Sequence, residues 1–255
     1  MSGFAPDPGA APRPLLVTRH AALEIRMLVR NGEQLVLALV IPVVVLVGGN
    51  LVTGRFGIGG PDPVQRLAPA VLALAILSTS FTSLAIGTGF ERRYGVLAQL
   101  ATTPLSRGDL LAGKVLSLLA VQAGQIVVLA AVGVALGWSP STSPVAVLAA
   151  IGFWWLGCAS FAAWALAIAG RLRAETTLAL ANLVFVMLVV AGGVVAAPAA
   201  YGGAAGLVRL LPSAALADGL RSALGEGRVD LGAAVVLVVW AVAGSWVTTR
   251  TFRWD

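Results

Sequence analysis

Residues 144–169 read PVAVLAAIGFWWLGCASFAAWALAIA, twenty-six positions without one charged side chain. Crossing a hydrocarbon core of ~30 Å takes about 20 mainly apolar residues in a helix. Lipid offers the backbone no partners, so a lone segment crosses only as a helix that satisfies its own N–H and C=O groups. The stretch therefore predicts a transmembrane helix. Toward the N-terminus, Leu110–Leu136, Leu67–Phe90 and Leu35–Val52 qualify as well, the last with Pro42 tolerated inside it. Toward the C-terminus, Thr176–Ala197 and Leu231–Val247 follow.

Composition supports the same solvent. The hydrophobic fraction is 58% and the charged fraction 11%, against about 25% charged in a soluble domain. The expectation is an all-α membrane protein of about six transmembrane helices, forming one membrane domain over 15–255. Residues 1–14 hold four prolines, two glycines and no apolar run. They read as a disordered cytoplasmic tail and lack the apolar core of a signal peptide.

The net charge is +6, carried by sixteen Arg and Lys114 against eleven acidic residues. Basic patches interleaved with aromatics are absent, which excludes a nucleic-acid partner. The charge is instead a topology signal, because Lys and Arg collect in cytoplasmic loops. With the N-terminus inside, Arg13, Arg19, Arg26, Arg30, Arg92, Arg93, Arg107, Lys114, Arg171, Arg173, Arg250 and Arg253 fall on the cytoplasmic side. Arg55, Arg66, Arg209, Arg221 and Arg228 fall outside. Both ends are thus expected in the cytoplasm of a plasma-membrane protein, as an even number of crossings requires.

Chemistry at this chain is not expected. The one cysteine, Cys158, reads as a small buried hydrophobe, and the one histidine, His20, as a helix-surface residue with no partner cluster. No phosphate-binding Gly-x-x-x-x-Gly-Lys-Ser/Thr loop occurs, because Val115 follows Lys114 where the motif requires a hydroxyl. The expected spans carry amides and hydroxyls: Asn50, Ser78, Thr79, Ser80, Thr82, Ser83, Gln122, Gln125, Ser160 and Asn182. Such groups serve interhelical hydrogen bonding or line a substrate path; Asn50, Ser80, Ser83 and Asn182 are the path candidates. An ion-driven carrier would place charges near the midplane, and an intramembrane enzyme would need a nucleophile–base pair or metal ligands. Neither is present. A non-transporting membrane anchor or immunity protein remains as an alternative.

Three segments outside the spans carry information. Over Leu15–Glu33, Arg19, Arg26, Arg30 and Glu33 form one helical stripe and Val17, Ala21, Ile25 and Leu28 the opposite one. This predicts an amphipathic helix in the headgroup region. Over Glu91–Lys114, Glu91 to Ala101 reads as a short amphipathic helix ended by Thr103-Pro104. Ser106 and Asp109 then form a capping box opening the next span. The ordered pattern Glu-Arg-Arg-x-Gly-x-Leu-x-x-Leu-x-x-Thr-Pro-Leu-Ser-Arg, followed by Leu-Leu-x-Gly-Lys, resembles the signature of type-2 ABC exporter permeases, as Leu28–Pro42 resembles actinobacterial members.

The resemblance implies a permease subunit moving a hydrophobic or amphipathic substrate, such as a drug, lipid or haem-like molecule. ATP and Mg would be bound by a separate ATPase in two copies, with no cofactor on this chain. A second permease chain, identical or paralogous, would complete the path, lined by the first, second and fifth spans. The helix after the second span would be the coupling helix seated in the ATPase, contacting it through Glu91, Arg92, Arg93, Tyr94, Gly95, Leu97, Leu100, Thr103 and Pro104. Arg19, Arg26 and Arg30 would contact lipid or the ATPase. The third segment, Pro198–Asp230, divides into helices over Ala204–Leu211 and Ser213–Leu224, with Ser213 as a cap. It forms either a re-entrant hairpin, as in family permeases, or an external loop with surface helices.

Overall fold

The computed structural model describes residues 12–30, 32–56, 62–100, 106–194 and 198–251. Thr103, Pro104 and most of the N-terminal tail lie outside the described residues, as do the side chains of Leu28, Glu33 and Leu97. Helix α1, Arg13–Arg30, precedes α2, Gly32–Phe56, which holds Pro42 inside it. The second crossing is one continuous helical rod, Val64–Arg93. It consists of α3, Val64–Leu77, a π-helical turn, Ser78–Ser83, and α4, Leu84–Arg93. After a turn, α5 covers Val96–Leu100.

Helix α6, Arg107–Ala135, opens on the expected capping box: the Asp109 amide donates to Ser106 Oγ at 3.2 Å, and the Ser106 amide to Asp109 Oδ2 at 3.1 Å. Helix α7, Pro144–Ala169, matches the expected bounds. Proline stands in its first turn, where no partner is lost, and Ser143 Oγ caps the Ala146 amide at 3.2 Å. Helix α8, Ala174–Val190, follows. A 3-10 segment, Pro198–Ala204, leads into α9, Ala205–Arg209, and α10, Pro212–Glu226; α11, Leu231–Thr251, closes the chain.

Among the described residues, five helices are long and apolar enough to cross a membrane: Ala38–Phe56, Val64–Arg93, Gly108–Ala135, Pro144–Ala169 and Leu231–Thr251. The apolar α8 is shorter, at 17 residues. At 1.5 Å per residue it is ~25 Å long, the lower limit for a crossing. The expected fifth span, Thr176–Ala197, thus stops seven residues early. Gly192-Gly193 breaks it, with Gly193 at φ +77°, a conformation open to glycine at little cost.

The core lies where α3, α7, α10 and α11 meet. Small residues let these backbones approach, the usual device in lipid, where apolar burial alone gives helices little reason to associate. A Cβ at Gly219 of α10 would stand 2.3 Å from the Phe153 ring of α7. Ten of the fifteen residues of α10 are buried, so it is a helix inserted into the bundle and not a surface helix on an external loop. Ser213 does not cap it. Leu211 holds the cap position and Pro212 the first turn, while Ser213 Oγ donates to the Gly192 carbonyl at 2.7 Å.

Candidate functional site: the basic end of the bundle

Helix α4 does not stop at the membrane boundary expected near Phe90. It carries Glu91, Arg92 and Arg93 on its last turn and ends at Tyr94–Gly95, Gly95 having φ +72°. The short helix expected from Glu91 is therefore only α5, and the three charges belong to the spanning rod. Successive helical residues point ~100° apart, so the three side chains reach three different neighbours.

Glu91 turns toward α6. Lys114 Nζ donates to Glu91 Oε1 at 2.7 Å, lies 2.5 Å from Oε2, and donates to Glu24 Oε1 of α1 at 3.1 Å. Lys114 is 7% exposed. Sequence reading placed it among loop charges; the structure makes it the ionic link between α1, α4 and α6. A buried ammonium is tolerable only with such partners. The missed signal is that the chain's one lysine stands in an apolar run four residues before Leu118.

Arg92 turns toward α7. Its guanidinium donates to the carbonyls of Ala169 at 2.8 Å and Leu172 at 3.2 Å. This cation satisfies carbonyls that the end of a helix leaves unpaired, at the negative pole of the α7 dipole. Arg93 turns toward α8 and pairs with Glu175 in its first turn. Its guanidinium also lies 5.9 Å from the centroid of the Tyr94 ring.

Three of the nine expected docking residues, Glu91, Arg92 and Arg93, thus use their charges inside the chain. Tyr94 is 69% exposed, Val96 is exposed, and Leu100 is half-buried.

Helix α1 has the expected polar face, with Arg19, Arg26 and Arg30 exposed. Its other face packs on α6 rather than only on lipid: Ala21 and His20 are buried, at 2% and 6% exposure. His20 is therefore not a surface residue. A Cβ at Gly113 would stand 2.4 Å from His20 Cδ2, so glycine is what admits the ring. Burial pushes the His20 pKa below its ordinary value, Glu24 opposing the shift and Lys114 adding to it. Its Nε2 lies 3.6 Å from Glu24 Oε1, beyond hydrogen-bond reach.

The polar residues of the spans divide by burial. Ser80 is fully buried and accepts from Gln122 Nε2 at 2.6 Å. Gln122 Oε1 accepts from Trp154 Nε1 and Cys158 Sγ, each at 2.7 Å. Ser80 therefore joins α6 and α7 to the π-helical turn instead of facing a path. Thr79 and Gln125 extend the set, Gln125 Nε2 donating to the Ala38 carbonyl of α2 at 2.6 Å. Asn50 is half-buried and Asn182 exposed. Ser83 lines a cleft of about 360 Å³ between α1, α2, α4 and α6, whose wall includes Glu24, Glu91, Lys114 and Thr88.

The ABC-2 type transporter family profile matches residues 21–224, which spans α1 through α10. The chain belongs to the ABC-2 type transporter family. It is the permease component of such a transporter, a multi-pass membrane protein, and the family implies an ABC ATPase in the complex. No curated protein matches the sequence. Among the described residues of this permease, no three His, Cys, Asp or Glu side chains gather as metal ligands would.

Proposed function

We propose that this permease is the membrane subunit of an ATP-binding cassette exporter in the plasma membrane, with both termini cytoplasmic. It carries a hydrophobic or amphipathic molecule and takes force from two ATPases, beside a second permease chain. One observation carries the reading: three successive charges at the end of α4 grip α6, α7 and α8, while the adjoining Tyr94 and Val96 are exposed. A push on that segment reaches the ends of three spans at once.

The contacts divide the labour of the expected coupling residues. Tyr94 meets the ATPase, joined by the exposed Val96, which is not one of the expected residues; Glu91, Arg92 and Arg93 pass the displacement inward. An ion-driven carrier is not favoured by the Lys114 cluster. Lys114 stands seven residues into the 29-residue α6, ~10 Å from its start at 1.5 Å per residue and well short of the middle.

The test is co-purification with the co-expressed ABC ATPase in detergent. Tyr94→Asp should abolish assembly while leaving the permease monodisperse, and Arg92→Ala should keep assembly but lose substrate-stimulated ATP hydrolysis. If Tyr94→Asp assembles and hydrolyses ATP as the parent does, the docking assignment fails.

A further inference from the structure

The cleft between α1, α2, α4 and α6 has a composition that selects a class of ligand. Its volume of about 360 Å³ falls within the ~300–1,000 Å³ of small-molecule sites. Its floor and walls are apolar, with Met27, Leu84, Leu118 and Val121 among them. At one side stand the carboxylates of Glu24 and Glu91, and among the described lining residues Lys114 is the one cation. The two carboxylates share the single ammonium of Lys114, which donates to both, beside a nonpolar chamber.

Two further observations point to a ligand there. Thr88 lines the same cleft, is 2% exposed, and its Oγ1 has no hydrogen-bond partner. Buried hydroxyls are normally paired, so Thr88 brings an unmet polar group to the wall of the cleft. Phe90 and Tyr94 also line the cleft, stacked with ring centroids 6.0 Å apart. Aromatic faces next to carboxylates are the chemistry that recognises organic cations.

We propose that this cleft binds an amphipathic organic cation, its charged head against Glu24, Glu91 and the Phe90 ring and its apolar body along α4 and α6. Taking that molecule as cargo rests on the exporter reading; the binding site itself does not. Because the head would sit on the ion cluster that joins α1, α4 and α6, occupancy is positioned to be sensed at the end of α4.

The probe pair is tetraphenylphosphonium and tetraphenylborate, alike in shape and opposite in charge, measured on the permease–ATPase complex in nanodiscs with empty nanodiscs subtracted. Saturable binding of tetraphenylphosphonium alone is expected. Glu24→Gln should weaken it roughly tenfold, the scale of losing one partly buried charge partner. Gly87 lines the cleft and a Cβ there meets nothing within 4 Å, so Gly87→Leu should fill the chamber without touching the ion cluster and also block binding. Equal saturable binding of both probes, or tetraphenylphosphonium binding that survives both substitutions, overturns the site. A complex that assembles with its ATPase yet never binds the cation overturns the site alone. A permease that binds it but assembles with no ATPase overturns the exporter reading alone.

Discussion

At the basic end of the permease, helices are joined mainly by pairs of charged side chains, Lys114 with Glu24 and Glu91 and Arg93 with Glu175, although Arg92 reaches backbone carbonyls at the end of α7. At the opposite end, side chains seize backbone instead. Ser213 donates to the Gly192 carbonyl, Arg221 to those of Gly193 and Val194 at 3.2 and 2.9 Å, and Trp240 to that of Leu210 at 2.8 Å. Side-chain ion pairs can exchange partners when helix ends shift by an ångström or two. Contacts to the backbone of a broken helix, with glycine packed on an aromatic ring, leave little room for that. The first end is suited to receive displacement and the second to hold the inserted α10 in register.

The contrast can be broken by experiment, and the largest effect is expected at the ion cluster. Lys114→Met would leave Glu24 and Glu91 facing each other unpaired. It should cost about 3–5 kcal/mol, the range for breaking a buried pair from one side, read as lost stability to denaturant in micelles. Substituting all three by apolar or amide residues should recover most of that loss; if it does not, the cluster is not acting as an ionic unit.

Next comes the tight end. Gly219→Leu forces a side chain into Phe153 and should cost about 1–3 kcal/mol by overpacking, seen as a lower unfolding midpoint. Arg221→Ala removes the grip on residues 193–194, and also the partner of Asp218 at 2.5 Å. A loss of about 1–2 kcal/mol follows from the hydrogen bonds to a charged group. Hydrogen exchange around residues 192–194 should quicken while exchange at residues 169–172 stays unchanged.

A smaller effect is expected from pH. His20 packed on Gly113 binds its proton less readily than the same residue on a detached helix, because burial penalises the charged form. The docked state is therefore fully favoured above the ordinary value of 6.5 and loses ground as pH falls below it. Proteolytic accessibility of α1 should rise on acidification, and His20→Gln should flatten that response. Smallest of all is Arg93→Ala. Its partner Glu175 is 60% exposed, so stability should change by no more than ~0.5 kcal/mol. A large loss would mean that the outermost of the three charges is structural like the other two.

Much of this architecture was legible before any coordinates. Composition demanded lipid, apolar runs marked the long helices, and Ser106–Asp109 announced a helix start, because each of these signals acts within a few residues. Where local signals compete, legibility failed. Residues 191–197 continue the apolar run of α8, yet the glycine pair ends the helix at Val190. Ser213 has the chemistry of a cap, yet its hydroxyl is taken by a carbonyl 21 residues away.

The sequence alone decided that this chain lies in a membrane, roughly where it crosses, and which short basic segment between the second and third crossings stands out. Only the tertiary structure decided what those charges do. Glu91, Arg92 and Arg93 are neighbours in the chain, but their partners lie 23, 77 and 82 positions away. Hydropathy and helix signals depend on adjacent residues, whereas the pairing of a charge depends on which distant helix packing brings within 3 Å.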